Sequence, residues 1–426
     1  MGLDVARALA VLGMVGAHIG VTADEFQLHD PSTWNTLVHG RSSILFAVLA
    51  GVSISLMTGR TRVPPAAELP ALRLNLIGRG AAVFLVGIAL ELLGTPIAVI
   101  LTVYGLLYVA AIPFLRWRPW QLLLTAGILA VAGPPVLAGL RAVTLGPMAP
   151  GIDLVLFGTY PITVWMAFVL GGMAIGRLRL TSARVAGVLV GAGLALSVLG
   201  YGLGALGAAS AVEEGSTGSS WSSGDSSVET PSTVPADEID LDGAVCEDWG
   251  SSHYYCYPAE DAEATGSGSA QGSEWVIVDG QTDDHGWAAY PQRLVEELPA
   301  EAMVQSIFAV TPHSGGTAEV LGSGGFAVAI IGLCLLLSRP LRWLLVPLAA
   351  LGAMPLTAYS AHIVGILAIA GPGGQVEGEY AWGWFALALI AGAVLWAACF
   401  GQGPLERLVA RFARAMSRGS ERSWEK

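Results

Sequence analysis

The stretch HDPSTWNTLVHGRSS, His29 to Ser43, sets two histidines, an aspartate, a Trp–Asn pair and an arginine between two apolar runs. Histidine is the side chain whose proton moves most readily near neutral pH. The loop is therefore a candidate for proton-transfer chemistry, with His29 and His39 as its carriers. Two more histidines fall inside apolar runs. His362 stands three residues after Tyr359 in GAMPLTAYSAHIVGI, a spacing that puts both on one helical face. His18 closes the first run, which also holds Asp4 and Arg7. At about 100° per residue these three share one side of a helix, in a polar stripe about 21 Å long. Such groups are costly in lipid and face a bundle interior or a water-filled cavity. The plain structural readings are an Asp4–Arg7 ion pair holding helix ends together and a His362 that hydrogen-bonds a neighbouring helix. The chemical readings are a proton relay and contact with a charged co-substrate. Glu91, near the end of the third run, is a further candidate with no evident partner.

The elements that must position these groups follow from composition. A soluble domain carries about 25% charged residues. This chain of 426 carries 13%, and 54% of it is hydrophobic. Apolar stretches approaching the roughly 20 residues of a bilayer crossing recur ten times. They are Val5–Val21, Ile44–Met57, Gly80–Leu93, Pro96–Leu115, Leu122–Leu140, Ile162–Ile175, Val185–Ala208, Val320–Leu337, Leu344–Ile369 and Trp382–Phe400. The pattern predicts an all-α, polytopic transmembrane helix bundle of about ten spans. The first run begins almost at Met1 without a basic leader or a cleavage site, so it reads as a retained span. Pro355 cannot donate its N–H, so the ninth run is expected to kink there.

Basic residues orient the bundle. With loops alternated, only Arg41, Arg141 and Arg293 of the 21 fall on one side, and the other 18 on the opposite one. The positive-inside rule then puts both termini in the cytoplasm and the His29–Ser43 loop outside. All but Lys426 of the basic residues are arginine, a usage that hints at a GC-rich bacterium and a bacterial cytoplasmic membrane.

The net charge of -12 belongs to one segment. Residues 211–312 hold 20 of the 33 Asp and Glu in a Ser/Gly-rich background. This composition buries little apolar surface, so a largely flexible extracellular loop is expected. It divides the chain into a bundle part at 1–210 with about seven spans, the loop, a second bundle part at 313–405 with about three, and a basic cytoplasmic tail at 406–426. Nucleic acid is an unsuitable partner for an acidic external segment. Cys246 and Cys256 bracket EDWGSSHYY within it, and outside the cytoplasm that spacing points to a disulfide. Cys334 and Cys399 lie in apolar runs and read as packing residues.

Several blocks carry a family likeness. LDVARALAVLGMVGAHIG, the His-bearing loop with TWN and LFAVLAGVSISL resemble the opening of transmembrane acyltransferases related to heparan-alpha-glucosaminide N-acetyltransferase. The likeness is closer to their YeiB-like bacterial relatives. It returns at YPITVWMAFVLGGMAIGR, PHSGGTAEVLGSGGFA and GAMPLTAYSAHIV, and it leaves residues 211–305 uncovered as an insertion. The resemblance implies transfer of an acetyl group from cytoplasmic acetyl-CoA, or another acyl-CoA, to a glycan or glycolipid acceptor beyond the bilayer. It implies a catalytic histidine in the first external loop, which falls on His29, with His39 as rival because the spacing to Trp34–Asn35 differs. It puts the family's early Asp and Arg on Asp4 and Arg7, its late histidine on His362, and His18 where the family has asparagine.

Chemically, His29 would accept the proton of an attacking nucleophile or carry the acyl group. His362 and Tyr359 would polarise the thioester oxygen, and cytoplasmic arginines, with the Asp4–Arg7–His18 stripe, would face the co-substrate. No metal is expected, since the sequence holds no metal-ligand cluster and no Gly-rich phosphate loop. The polar stripe suits a proton-coupled transporter or channel as the alternative, although the ten runs show no matching halves. The basic split generates a topology test. A reporter fused after Ser219 is expected to behave as extracellular, and reporters after Arg118 or at the C-terminus as cytoplasmic. Ser219 and the C-terminus on one side would sink the ten-span reading.

Overall fold

Every one of the ten apolar stretches is occupied by helix in the computed structural model. It describes residues 1–19, 29, 38–144, 150–213, 233–234, 244–248, 253–258, 276–279, 290–376, 378 and 380–421. The helices are α1 (Gly2–His18), α2 (Arg41–Met57), α3 (Leu69–Glu91), α4 (Leu101–Ala110), α5 (Pro119–Thr144), α6 (Ile162–Gly176) and α7 (Ala183–Glu213). There follow α8 (Tyr290–Glu296), α9 (Pro299–Phe308), α10 (Thr317–Leu337), α11 (Arg342–Gly352), α12 (Pro355–Ala370), α13 (Ala381–Phe400) and α14 (Pro404–Glu421).

Length separates these helices. Among the described residues, five are long and apolar enough to cross a membrane: Ala66–Glu91, Pro119–Thr144, Ala183–Ala209, Thr317–Leu337 and Ala381–Phe400. A sixth candidate is the pair α11 and α12, bent by 70° at the break before Pro355. The expected kink is thus a full change of direction, because a ring at the start of α12 ends the hydrogen-bond ladder of α11. The helices α2, α4 and α6 are apolar but shorter. The fourth run falls short because Pro113 turns its end, Ile112–Phe114, into a 3-10 turn.

Lipid gives apolar helices no hydrophobic reason to associate, so close packing through small residues has to hold the bundle. Gly51 of α2 and Gly172 of α6 show this. A Cβ on the first would run into the Val169 carbonyl, and one on the second into that of Val48. Gly193 and Gly200 of α7 likewise meet the backbone of α10 at Gly325 and Gly322. Gly139 of α5 leaves room for Met303 of α9. The last contact explains why the bundle unit, 1–213 with 298–426, takes in α9 although the acidic composition runs on to 312.

The second unit, Glu214–Glu297, contains order that its composition does not announce. Four short strands, β1 (Thr233–Val234), β2 (Ala244–Asp248), β3 (His253–Pro258) and β4 (Val276–Asp279), form one sheet in the order β1-β4-β3-β2. In the antiparallel β2–β3 pair, Cys246 stands directly opposite Cys256. Opposed Cα atoms on such a ladder lie about 4.5–5.5 Å apart, inside the roughly 4.4–6.8 Å that a disulfide spans.

Two tests follow from this packing. Gly172→Val is expected to lower the unfolding midpoint in detergent, as overpacking costs about 1–3 kcal/mol. Gly171→Ala, with open space around its Cα, should leave the midpoint unchanged or raise it; equal behaviour of the two would refute the close α2–α6 approach. Peptide mapping without reduction is expected to recover Cys246 joined to Cys256, and free thiols at both would exclude the bridge.

Candidate functional site

Helix α1 carries chemistry at both of its ends. At its N-terminal end an Arg7 nitrogen lies 2.7 Å from an Asp4 oxygen, and a second Arg7 nitrogen donates to Ser53 Oγ of α2 at 2.9 Å. The ion pair expected from the sequence is present, and Ser53 completes it. Two cavities flank Arg7. One of about 650 Å³ has Asp4, Arg7, Arg60, Arg179 and Arg339 in its wall. The other, of about 360 Å³, is lined at polar points by Arg7, Ser53, Arg79, Gln402 and the Glu406 carboxylate, and elsewhere by Phe46, Leu49 and Tyr104. The arginine-rich wall of the first suits phosphate oxygens, which guanidinium groups bind through paired N–H donors.

At the C-terminal end of α1, His18 Nδ1 and His362 Nε2 share a hydrogen bond of 3.0 Å. The rings stack at 5.3 Å between centroids, and Tyr359 meets His362 edge-to-face at 4.9 Å. His362 is fully buried. Its Nδ1 and the Tyr359 hydroxyl are buried without a hydrogen-bond partner. Position along the chain explains the arrangement: Pro355 opens α12, so Tyr359 and His362 fall on its second and third turns, toward α1. Glu406 of α14 accepts from the Leu356 and Thr357 N–H groups at 2.8 and 3.1 Å and from Thr357 Oγ1 at 2.5 Å. A carboxylate at a helix N-terminus both satisfies free N–H groups and matches the helix dipole.

A cavity of about 30 Å³ lies beside the pair, with His18, Ser42, Ser43, Tyr160, His313 and Tyr359 in its wall. His313 reaches it from the turn before α10. Its ring stands edge-to-face on Tyr160 at 5.4 Å and on His39 at 6.1 Å. The turn is held by Glu319, a buried carboxylate that accepts from the N–H groups of His313 and Gly315, both at 2.8 Å, and from Ser314 Oγ at 3.1 Å. His313 itself has φ +65°, a left-handed conformation that a side chain adopts only where its surroundings enforce it. Burial, then the neighbouring His39, pushes the His313 imidazole down to about 4. Burial, then Arg41, lowers His39 as well. Burial pushes the Tyr160 hydroxyl up to about 12.

Among the residues singled out from the sequence, the structure brings His18, Tyr359 and His362 together and sets His39 against His313. Asp4 and Arg7 pair at the far end of α1. His29 is an exposed turn residue, and residues 20–28 and 30–37 around it lie outside the described residues. Sequence reasoning passed over His313, Glu319, Tyr160 and Ser42. A signal existed for Glu319: a carboxylate three residues after Gly316, at the start of an apolar run, is a capping pattern. Glu91 accepts from Thr102 Oγ1 at 3.1 Å and lines a separate 240 Å³ cavity that shares Ala98 and Tyr160 with the histidine cavity.

No curated protein and no solved structure matches the chain. Two family descriptions do. Residues 1–200 match "Heparan-alpha-glucosaminide N-acetyltransferase, catalytic" and residues 297–415 match "Protein of unknown function (DUF418)". The first points to a membrane acetyltransferase-like function. Both matched segments feed one site, since His18, Ser42 and Tyr160 come from the first and His313, Tyr359 and His362 from the second. Both matches agree with the resemblance to YeiB-like membrane proteins related to heparan-alpha-glucosaminide N-acetyltransferase.

Proposed function

We propose that this protein is an integral membrane acyltransferase of about ten spans with both termini in the cytoplasm. It moves an acyl group, acetyl foremost, from cytoplasmic acyl-CoA to an extracytoplasmic sugar or other envelope acceptor. One observation carries the reading: a single helix, α1, joins an arginine-lined cavity at one end to the His18–His362 pair about 20 Å away at the other. A CoA thioester has its phosphates at one end and its reactive carbonyl at the other. Arg7, Arg60, Arg179 and Arg339 offer charge for the phosphates, and the pantetheine arm runs along the apolar wall toward Tyr104.

The acceptor nucleophile must lose a proton as it attacks the thioester carbonyl. A neutral imidazole of the His18–His362 pair takes it, and the hydrogen bond between the rings spreads the charge that forms. The Tyr359 hydroxyl, in the wall of the small cavity, would donate to the carbonyl oxygen as negative charge develops on it. The sugar class of the acceptor and the bacterial setting rest on the family resemblance.

Acetyl-CoA turnover by the purified full chain, read as thiol release with an envelope lipid extract as acceptor, tests the reading. His18→Ala and His362→Ala are each expected to lower the rate about 100- to 10,000-fold. His29→Ala decides how far the loop takes part. A comparable loss brings His29 into the site during turnover, and full activity confines proton transfer to the buried pair. Absence of thiol release from the wild-type protein, together with acyl-CoA-independent solute flux in vesicles, would replace the enzyme with a carrier.

A further inference from the structure

Building on the acyltransferase reading, we propose that His313 and His39 form a proton exit, which returns the proton taken by the His18–His362 pair to solvent after each transfer. Of the pair, His362 is sealed off and only His18 is half-buried, so a proton leaves by way of His18. His362 is fully buried, and its bonded partner His18 closes one wall of the small cavity. Toward the arginine-lined end the path is stopped by Tyr104, which is 2% exposed and donates to the Ser43 carbonyl at 3.0 Å. On the cavity's other wall stands His313. The space of about 30 Å³ matches roughly one water molecule, enough to bridge two imidazoles. Beyond His313, His39 follows at 6.1 Å between ring centroids, half-buried at the start of α2.

The surroundings fit transit better than storage. The groups facing the two rings are His18, Tyr160, Glu319 and Arg41. The Glu319 oxygens are engaged by the turn that carries His313, and Arg41 donates to the Tyr201 hydroxyl at 2.6 Å. Among the described residues, neither imidazole therefore holds a carboxylate partner that would trap a proton. Burial lowers both rings, His313 to about 4, so neither retains a proton that it receives.

The proton balance is explicit. The bond from acceptor oxygen or nitrogen to the carbonyl carbon forms as the carbon–sulfur bond breaks, and that electron pair leaves with the CoA sulfur. The acceptor's proton goes to the His18–His362 pair, then through the cavity water to His313, and by His39 to solvent. The thiolate takes a proton from solvent as CoA departs.

The test uses the purified full chain, acetyl-CoA and an envelope lipid extract in weak buffer, with thiol release followed from the first turnover. In His313→Ala the first turnover should stay near the wild-type rate. The steady-state rate should fall about 10- to 100-fold, a part of the roughly 100- to 10,000-fold that acid–base groups contribute. Added imidazole should restore it. His313→Gln, which keeps bulk and polarity without basicity, should behave like the alanine variant. An unchanged steady-state rate would overturn the proposal, as would a loss that glutamine repairs or that imidazole leaves in place. A wild-type protein that releases no thiol would sink the acyl-transfer reading and the exit with it, whereas the variants bear on the exit alone.

Discussion

A hydrogen bond between two imidazoles separated by 344 residues in sequence is the contact on which the rest of this bundle is arranged. It requires the C-terminal end of α1 and the third turn of α12 to lie side by side, which neither helix does unaided. Gly352 at the end of α11 has no Cβ because the Asp4 carbonyl occupies that space. Trp382 of α13 donates to the Leu12 carbonyl at 2.9 Å, in room left by Gly16. Glu406 caps the first turn of α12 from the tail helix. Three elements from the C-terminal part of the chain, α11, α13 and α14, therefore brace α1 and α12 around one pair of rings. The Tyr359 ring meets His362 edge-to-face beside it.

Much of the scaffold was legible in the sequence because lipid enforces simple rules. Runs of apolar residues became helices, Pro355 became a bend, and spacing put Asp4 with Arg7 and Tyr359 with His362. Helix ends were less legible. The first turns of α3 hold Arg73, Asn75 and Arg79, so the helix begins eleven residues before its apolar run. Partners were not legible at all. Periodicity tells which side of a helix is polar and is silent on which helix it meets, so His18 and His362 appeared as separate candidates. His313 and Glu319 were passed over for a related reason. Their bonds run between a polar turn and the first turn of the helix after it, at the boundary where hydropathy is least informative. The strands opposing Cys246 and Cys256 are likewise hidden by a composition that argues for no order.

Tyr104 shows how the two ends of α1 are kept apart. Its ring meets Phe46 at 5.2 Å and Trp165 at 6.4 Å, both edge-to-face. It walls the 360 Å³ cavity, while its hydroxyl bonds the carbonyl of Ser43, a residue that lines the histidine cavity. One side chain thus stands between the larger cavity and the histidine cavity. An enzyme that handed an acyl group across a bilayer through an open channel would also leak water and protons. Tyr104, 2% exposed and held by one hydrogen bond and two edge contacts, closes that route, and moving it costs its buried aromatic surface as well as the bond.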